Sequence, residues 1–114
     1  MPSRDLARLQ LLPRHLAMLQ ALLAEHAPHA EVWAYGSRVS GGAHECSDLD
    51  IVLRTPADLN AANPVWMDLR EALQASALPI LVDAHDWALL PESFHRNIEG
   101  DYVVMQHAQA GQGD

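Results

Sequence analysis

Two aspartates and a glycine–serine turn are the residues of this chain best suited to chemistry. Asp48 and Asp50 are spaced i, i+2 at the start of the apolar run Ile51-Val52-Leu53. Side chains at i and i+2 of a strand point to the same face, so the two carboxylates are neighbours. They repel each other unless one is protonated or a cation bridges them. A cation that prefers oxygen ligands, such as Mg²⁺ or Mn²⁺, suits such a pair.

The turn Gly36-Ser37 follows the apolar run Val32-Trp33-Ala34-Tyr35 and predicts a place where an anion binds. Glycine lets the backbone approach a ligand closely, and successive N–H groups at such a turn form a concavity for phosphate. Each pattern alone is weak, because strand ends often carry glycine or solvated acids. A strand, this turn, ten residues and then Asp48 and Asp50 together indicate a nucleotide-handling site.

A third carboxylate completes the cluster if the next apolar strand lies beside the one that Asp48 opens. Asp83 ends the run Ile80-Leu81-Val82, whereas Asp86 lies beyond this strand and is expected to be exposed. Burying a single ionised aspartate at the sheet edge would cost free energy, whereas an aspartate in a carboxylate cluster can share a bound cation with its neighbours. We therefore prefer Asp83 to Asp86 as the third acid.

Alternating helices and strands must position these residues. Leucines at helical spacing predict an amphipathic helix over 13–27, and Asn63 followed by Pro64 predicts an N-cap and a helix over 64–76. A shorter helix is predicted over 91–99. Strands are predicted over 31–36, 48–54, 79–85 and 102–105, with a loop over 37–47 between the first two. This order predicts an α/β or α+β fold. We expect one domain over 1–114, with its core at about 13–106 and a frayed tail at 108–114.

Composition limits the function classes. Of the 114 residues 49% are hydrophobic and 19% charged, which supports a packed core. The net charge is −8, and all seven basic residues are arginine, which disfavours direct nucleic-acid binding and favours a metal–nucleotide substrate or a basic protein partner. Cys46 is the only cysteine, so we expect a reducing cytoplasm. Neither a membrane span of roughly 20 apolar residues nor a signal peptide is expected.

The motif segments resemble those of a known family. Gly36-Ser37-Arg38-Val39-Ser40-Gly41 and Ser47-Asp48-Leu49-Asp50 are similar to the Gly-Ser-Arg-Ala-x-Gly and Ser-Asp-x-Asp motifs of minimal nucleotidyltransferase (MNT) domains, members of the DNA polymerase beta superfamily. Valine replaces the common alanine, which should not affect the chemistry. The resemblance covers about 13–106 and implies a polymerase-beta-like fold, in which helices flank a small mixed sheet.

The resemblance also implies a mechanism. Asp48 and Asp50 would hold two Mg²⁺ ions, with Mn²⁺ as the alternative, and Asp83 would bind the second ion and help to position the attacking hydroxyl. ATP would be the substrate. Attack on its α-phosphorus would transfer AMP and release pyrophosphate, with most of the catalysis supplied by positioning and charge stabilisation.

Further residues of the motifs would bind the nucleotide. The backbone of Gly36 and Ser37, with the serine hydroxyl, would hold the β- and γ-phosphates. Arg38 would either offset phosphate charge or pair with an acid such as Glu45. Ser47 would serve as a turn or cap residue near the nucleotide, with an indirect role.

The acceptor is expected to belong to another protein, because the chain has no room for an acceptor domain. The resemblance implies a HEPN-family ribonuclease toxin as partner, in a hetero-oligomer. The chain would be an antitoxin that transfers AMP to a tyrosine hydroxyl of that toxin, and its acidity would complement a basic surface. One alternative is an antitoxin that blocks the toxin by binding alone. Another is a catalytic subunit that modifies a small molecule or RNA.

Histidines and tryptophans are expected to lie outside the chemistry. The seven histidines lack the spacing of metal-ligand motifs, so surface or boundary positions are predicted for them, although His44 lies in the loop between the two motifs. Trp33, Trp66 and Trp87 are predicted to fill the core. For Trp66, near a helix start, contact with a partner remains an alternative.

Overall fold

Five strands form one mixed sheet in a computed structural model that describes residues 3–4, 9, 11–40, 48–56 and 58–108. The strands are β1 (Ser3–Arg4), β2 (Glu31–Tyr35), β3 (Leu49–Arg54), β4 (Val82–Asp86) and β5 (Tyr102–Gln106). Their order across the sheet is β1-β5-β2-β3-β4. β2 is antiparallel to both of its neighbours, β3 and β5, whereas β4 is parallel to β3 and β1 is parallel to β5.

Within the described residues, four α-helices and one short 3₁₀-helix connect the strands. They are α1 (Pro13–His26), α2 (Ser37–Ser40), α3 (Trp66–Ala75), the 3₁₀-helix Trp87–Leu89 and α4 (Glu92–Glu99). The predicted mixed α/β architecture is therefore confirmed. In the described part of the chain, no helix is long and apolar enough to cross a membrane.

Two elements begin at least two residues later than predicted, and one strand was not predicted. Asn63 does not cap α3. Its Oδ1 accepts a hydrogen bond from the N–H of Val65 at 3.0 Å, which forms a turn, and the helix begins after this turn, at Trp66. β4 begins at Val82 rather than at residue 79. The two-residue strand β1 was not predicted, because pairing with the distant β5 defines it and no local pattern does. The predicted frayed tail falls almost wholly on 109–114, outside the described residues.

The two faces of the sheet carry different cores, because successive strand residues point to opposite sides. One face packs against α1 and α3 in a large aliphatic core. Its most buried members include Leu19, Leu23, Val32, Ala34, Leu49, Ile51, Leu53, Leu69 and Val103. The other face carries a smaller cluster built around Trp33, Val52, Trp87 and Ile98.

Aromatic rings and one arginine hold the smaller cluster together. The guanidinium carbon of Arg54 lies 4.0 Å from the ring centroid of Trp33 and 4.6 Å from that of Trp87. Glu31 pairs with the same guanidinium, and Tyr102 stacks on Trp33 with ring centroids 3.8 Å apart. Arg54 is therefore committed to the fold. The predicted core role of Trp33 and Trp87 is confirmed.

Trp66 has a structural task at the edge of the large core. Its indole N–H donates to the carbonyl of Ala84 at 2.9 Å, and its side chain is half-buried. This bond fastens the first turn of α3 to β4. The helix and the strand that carries Asp83 are thereby fixed relative to one another.

Candidate functional site

Parallel pairing of β3 and β4 brings two of the predicted acids together. The register sets Asp50 opposite Asp83, so their side chains leave the same face of the sheet side by side. Asp48 directly precedes β3 and is exposed. The adjacency of the two strands, on which the choice of Asp83 depended, is therefore present. The catalytic and metal-binding roles of the three acids stay predictions.

Burial and a neighbouring carboxylate both disfavour the ionised form of Asp50. The pKa of Asp50 is raised above its ordinary value, chiefly because the carboxyl is partly buried and next because the carboxylate of Asp83 lies beside it. Asp48 adds a smaller effect in the same direction, and His85 opposes it. Like charges held together without a compensating ion disfavour ionisation, and a bound cation would reverse this effect.

His85 belongs to the same cluster, a feature that the sequence interpretation missed. Its Nε2 lies 3.2 Å from Oδ2 of Asp83. One ligand atom from each of Asp50, Asp83 and His85 lies within 4.8 Å of the others. The signal was the i, i+2 spacing of Asp83 and His85 on one strand, which puts both side chains on the same face. Two carboxylates and an imidazole are a donor set that fits a divalent metal.

Gly36 presses the predicted phosphate turn against this cluster. Its φ is +88°, in the left-handed region that side chains rarely adopt. A Cβ at this position would lie 2.7 Å from Oδ2 of Asp50. α2 follows at once, with the N–H of Val39 donating to the carbonyl of Gly36 at 3.0 Å. The turn and the acid are thus in direct contact, while phosphate binding there stays a prediction.

The remaining nucleotide-binding candidates are only partly described. Ser37 begins α2, and Arg38 on the same helix is buried, with 6% of its surface exposed. Ser47, like Glu45 and His44, lies outside the described residues, so its predicted role and the alternative pairing of Arg38 with Glu45 stay predictions.

Tyr35 lies between the turn and the acids. It ends β2, where the register pairs it with Asp50. The pKa of its phenol is raised by burial first and then by the charges of Asp50 and Asp83. The ring consequently stays neutral beside the carboxylates and adds no negative charge to the site.

Asp86 is a structural residue, and the expectation that it is exposed was wrong. Only 1% of its surface is accessible. Its Oδ2 accepts from the N–H of Asn63 at 2.6 Å, and its Oδ1 accepts from the N–H of Ala88 at 3.2 Å. The side chain caps the 3₁₀-helix and holds the loop before α3, on the sheet face opposite to Asp83.

Substitution of Asp86 and Asp83 should therefore have opposite consequences. We expect Asp86→Ala to lower the free energy of unfolding by about 2 kcal/mol, because two partly buried N–H groups lose a charged acceptor. Asp83→Asn should leave stability intact and weaken Mn²⁺ binding. Urea unfolding and Mn²⁺ titration followed by electron paramagnetic resonance measure the two properties. Weakened Mn²⁺ binding in a folded Asp86→Ala protein would reverse the assignment.

Gly36→Ala should damage both the fold and the site. The left-handed backbone costs an L-residue roughly 1–2 kcal/mol, and the added methyl group displaces the Asp50 carboxylate. We expect a lower melting temperature and weaker binding of Mg²⁺ with an ATP analogue, measured by calorimetry. Gly100→Ala is the control, since Gly100 has φ −73° and lies away from the acids. Equal nucleotide affinity in the Gly36→Ala and Gly100→Ala proteins would contradict a role for the turn.

Asp50→Asn should stabilise the metal-free protein in a pH-dependent way. Folding disfavours the ionised form of Asp50. The free energy of unfolding of the wild type is therefore lowered at pH values above the raised pKa of this group. Below a pH of about 4 the residue is protonated in both the folded and unfolded states, and the difference vanishes. Thermal unfolding in EDTA from pH 4 to 8 should show a gain for Asp50→Asn that grows with pH. Asp68→Asn, an exposed acid on α3, should show no such trend.

Comparisons with known proteins agree with this geometry. A model of the nucleotidyltransferase domain matches residues 17–106. A protein from Haemophilus influenzae described as "probable protein adenylyltransferase MntA" is 39% identical over 105 residues, which are 90% of this chain and 89% of that protein. A solved structure described as a toxin–antitoxin with AMP-PNP has a TM-score of 0.63 at 24% identity, covers 86% of this chain and 76% of its own, and shares the fold. Since the family model spans most of its length, the chain belongs to the nucleotidyltransferase domain family.

Proposed function

We propose that this nucleotidyltransferase moves AMP from ATP to a tyrosine hydroxyl of a cognate HEPN ribonuclease toxin and thereby acts as an antitoxin. The observation that carries the proposal is the register of β3 and β4, which sets Asp50 beside Asp83 with Gly36 in contact with Asp50. The similarity to the probable protein adenylyltransferase MntA supports a protein acceptor. The structural likeness to a toxin–antitoxin with AMP-PNP is consistent with this setting.

The acids and the turn would bind different parts of the metal–nucleotide complex. Asp48, Asp50 and Asp83 would hold Mg²⁺, or Mn²⁺ in its place, and the turn at Gly36-Ser37 would hold the β- and γ-phosphates. When bound, the metal neutralises triphosphate charge and makes the attacking hydroxyl more acidic. The raised pKa of Asp50 supports this assignment, because it reports carboxylates that gain from a cation.

The reaction needs a hydroxyl positioned on the far side of the α-phosphate. Its oxygen forms a bond to the α-phosphorus, while the bond from phosphorus to the bridging oxygen breaks and pyrophosphate leaves. Asp83, half-exposed and next to Asp50, would accept or direct the hydroxyl proton. His85, in contact with Asp83, would hold that carboxylate in position.

The acceptor side chain would approach from the β4 side of the sheet. Gly36 follows β2, Asp50 lies on the next strand and Asp83 on the one after it. Because the phosphates would bind on the Gly36 side, the Asp83 side would stay open to the attacking group. The net charge of −8 favours a partner with a basic surface, as expected for a protein that binds RNA.

A labelling experiment tests the proposal directly. The protein is incubated with Mg²⁺, ATP labelled at the α-phosphate and the protein encoded by the neighbouring gene, and the partner is analysed by mass spectrometry. We expect one or more AMP groups on a tyrosine. Asp48→Asn and Asp50→Asn should each lower the labelling rate about 100-fold or more, because transition-state charge loses its stabilisation. Asp68→Asn serves as the matched control.

Other outcomes identify the alternative functions. If Asp48→Asn and Asp50→Asn still neutralise the toxin in cells, binding alone is sufficient and the catalytic proposal fails. Label that appears on RNA or a small molecule, with none on the partner, identifies a different acceptor class.

A further inference from the structure

An open cavity of about 310 Å³ adjoins the acids on the side away from Gly36. Asp48 and Asp83 form its polar border. The rest comes from the C-terminal turn of α3 and the segment that leads into β4. It consists of one polar residue, Gln74, and five apolar ones: Leu73, Leu78, Ile80, Leu81 and Val82. The metal-binding candidates and an apolar surface are therefore continuous.

Leu81 makes this surface unusual for a part of the protein that faces solvent. It is 71% exposed, the largest exposure among the large hydrophobic residues in the described part of the chain. Its backbone is nevertheless fixed, because its carbonyl accepts a hydrogen bond from the N–H of Leu49 at 2.9 Å. The side chain is thus held in water at the start of β4, and a ligand that covers it gains from removing its apolar surface from water.

β4 also offers an open edge at this place. Within the described residues it pairs with β3 alone. Its outer side is already used at Ala84, whose carbonyl accepts from the indole of Trp66, so an extended segment could pair only at Val82, where the strand begins. The volume of the cavity exceeds that of one side chain and is at the lower end of the range for pockets that bind small ligands. A polypeptide can place an apolar side chain against Leu78, Ile80 and Leu81 and a polar or basic group beside the acids, whereas a small hydrophilic acceptor gains little from the apolar side chains.

We propose that this cavity binds an apolar side chain of the partner polypeptide, a few residues from the hydroxyl that receives AMP. The inference rests on the proposed function, since it takes the acceptor to be a protein that arrives on the Asp83 side. Asp48 and Asp83 at the border, in a chain of net charge −8, favour basic residues beside the apolar one. The cavity then selects a polypeptide acceptor and sets the hydroxyl in register with Asp83.

Leu81→Asp tests the surface, with Leu89→Asp as the matched control. Leu89 is 58% exposed and lies in the 3₁₀-helix, outside the residues that line the cavity. Because both leucines are exposed, both variants should fold, which circular dichroism and the melting temperature verify. We expect Leu81→Asp to raise the KM for the partner at least about tenfold. The affinity for Mg²⁺ with a non-hydrolysable ATP analogue should not change, and Leu89→Asp should match the wild type.

Crosslinking provides a second measurement. A photoreactive benzoylphenylalanine placed at position 81 should crosslink to the partner within a few residues of the modified hydroxyl. The same group at position 89 should not. Peptide mapping of the crosslinked complex locates both the crosslink and the AMP adduct.

The outcomes separate this inference from the proposed function. If the wild type transfers no AMP to the partner, the proposed function fails. If the wild type labels the partner and Leu81→Asp does so with an unchanged KM, the docking surface is wrong while the function stands. A loss of nucleotide affinity in Leu81→Asp would also overturn the inference. So would self-association of the wild type, without the partner, that Leu81→Asp abolishes.

Discussion

The parallel register between β3 and β4 is the constraint on which the site depends. It pairs Asp50 with Asp83 and puts His85 one step further along the same face. A shift of one residue would turn Asp83 to the opposite face, where Ala84 and the large aliphatic core lie. The buried alternation of Leu49, Ile51 and Leu53 opposes such a shift, so packing on one face fixes the chemistry on the other.

That face also has to tolerate acids next to a hydrophobic cluster. Close to the carboxylates the sheet carries Trp33 and Trp87, with Arg54 between their rings and Glu31 bound to the arginine. Arg54 lies four residues beyond Asp50 on β3, about 13 Å away at 3.3 Å per residue, so its guanidinium does not neutralise that carboxylate. Burial first, and then the charge of Asp83, raise the pKa of Asp50, an effect that a bound cation would reverse.

Sequence patterns predicted the elements and the motif contact well, because these depend on local periodicity and on residue types. The helix over Pro13–His26 and the strand over Leu49–Arg54 agree with the predictions within one residue. Features that depend on distant partners were missed. The predicted exposure of Asp86 was wrong. Its carboxylate accepts a hydrogen bond from the N–H of Asn63, 23 residues away, and so distant a partner leaves no local signal in the sequence. His85 was missed because its neighbours in the cluster are two acids and not a second histidine or a cysteine, so no metal-ligand motif of histidines marks it.

The order of strands explains why one small sheet can bring two substrates together. β2 ends at the turn that contacts Asp50, whereas exposed Leu81 directly precedes β4 and Asp83 lies at the cavity border. The centre, β3, contributes the acid that contacts the turn on one side and is paired with Asp83 on the other. A nucleotide bound at the turn and a polypeptide bound at the β4 edge would thus meet above Asp50. Neither needs an additional domain of this chain, since the described sheet supplies one side for each.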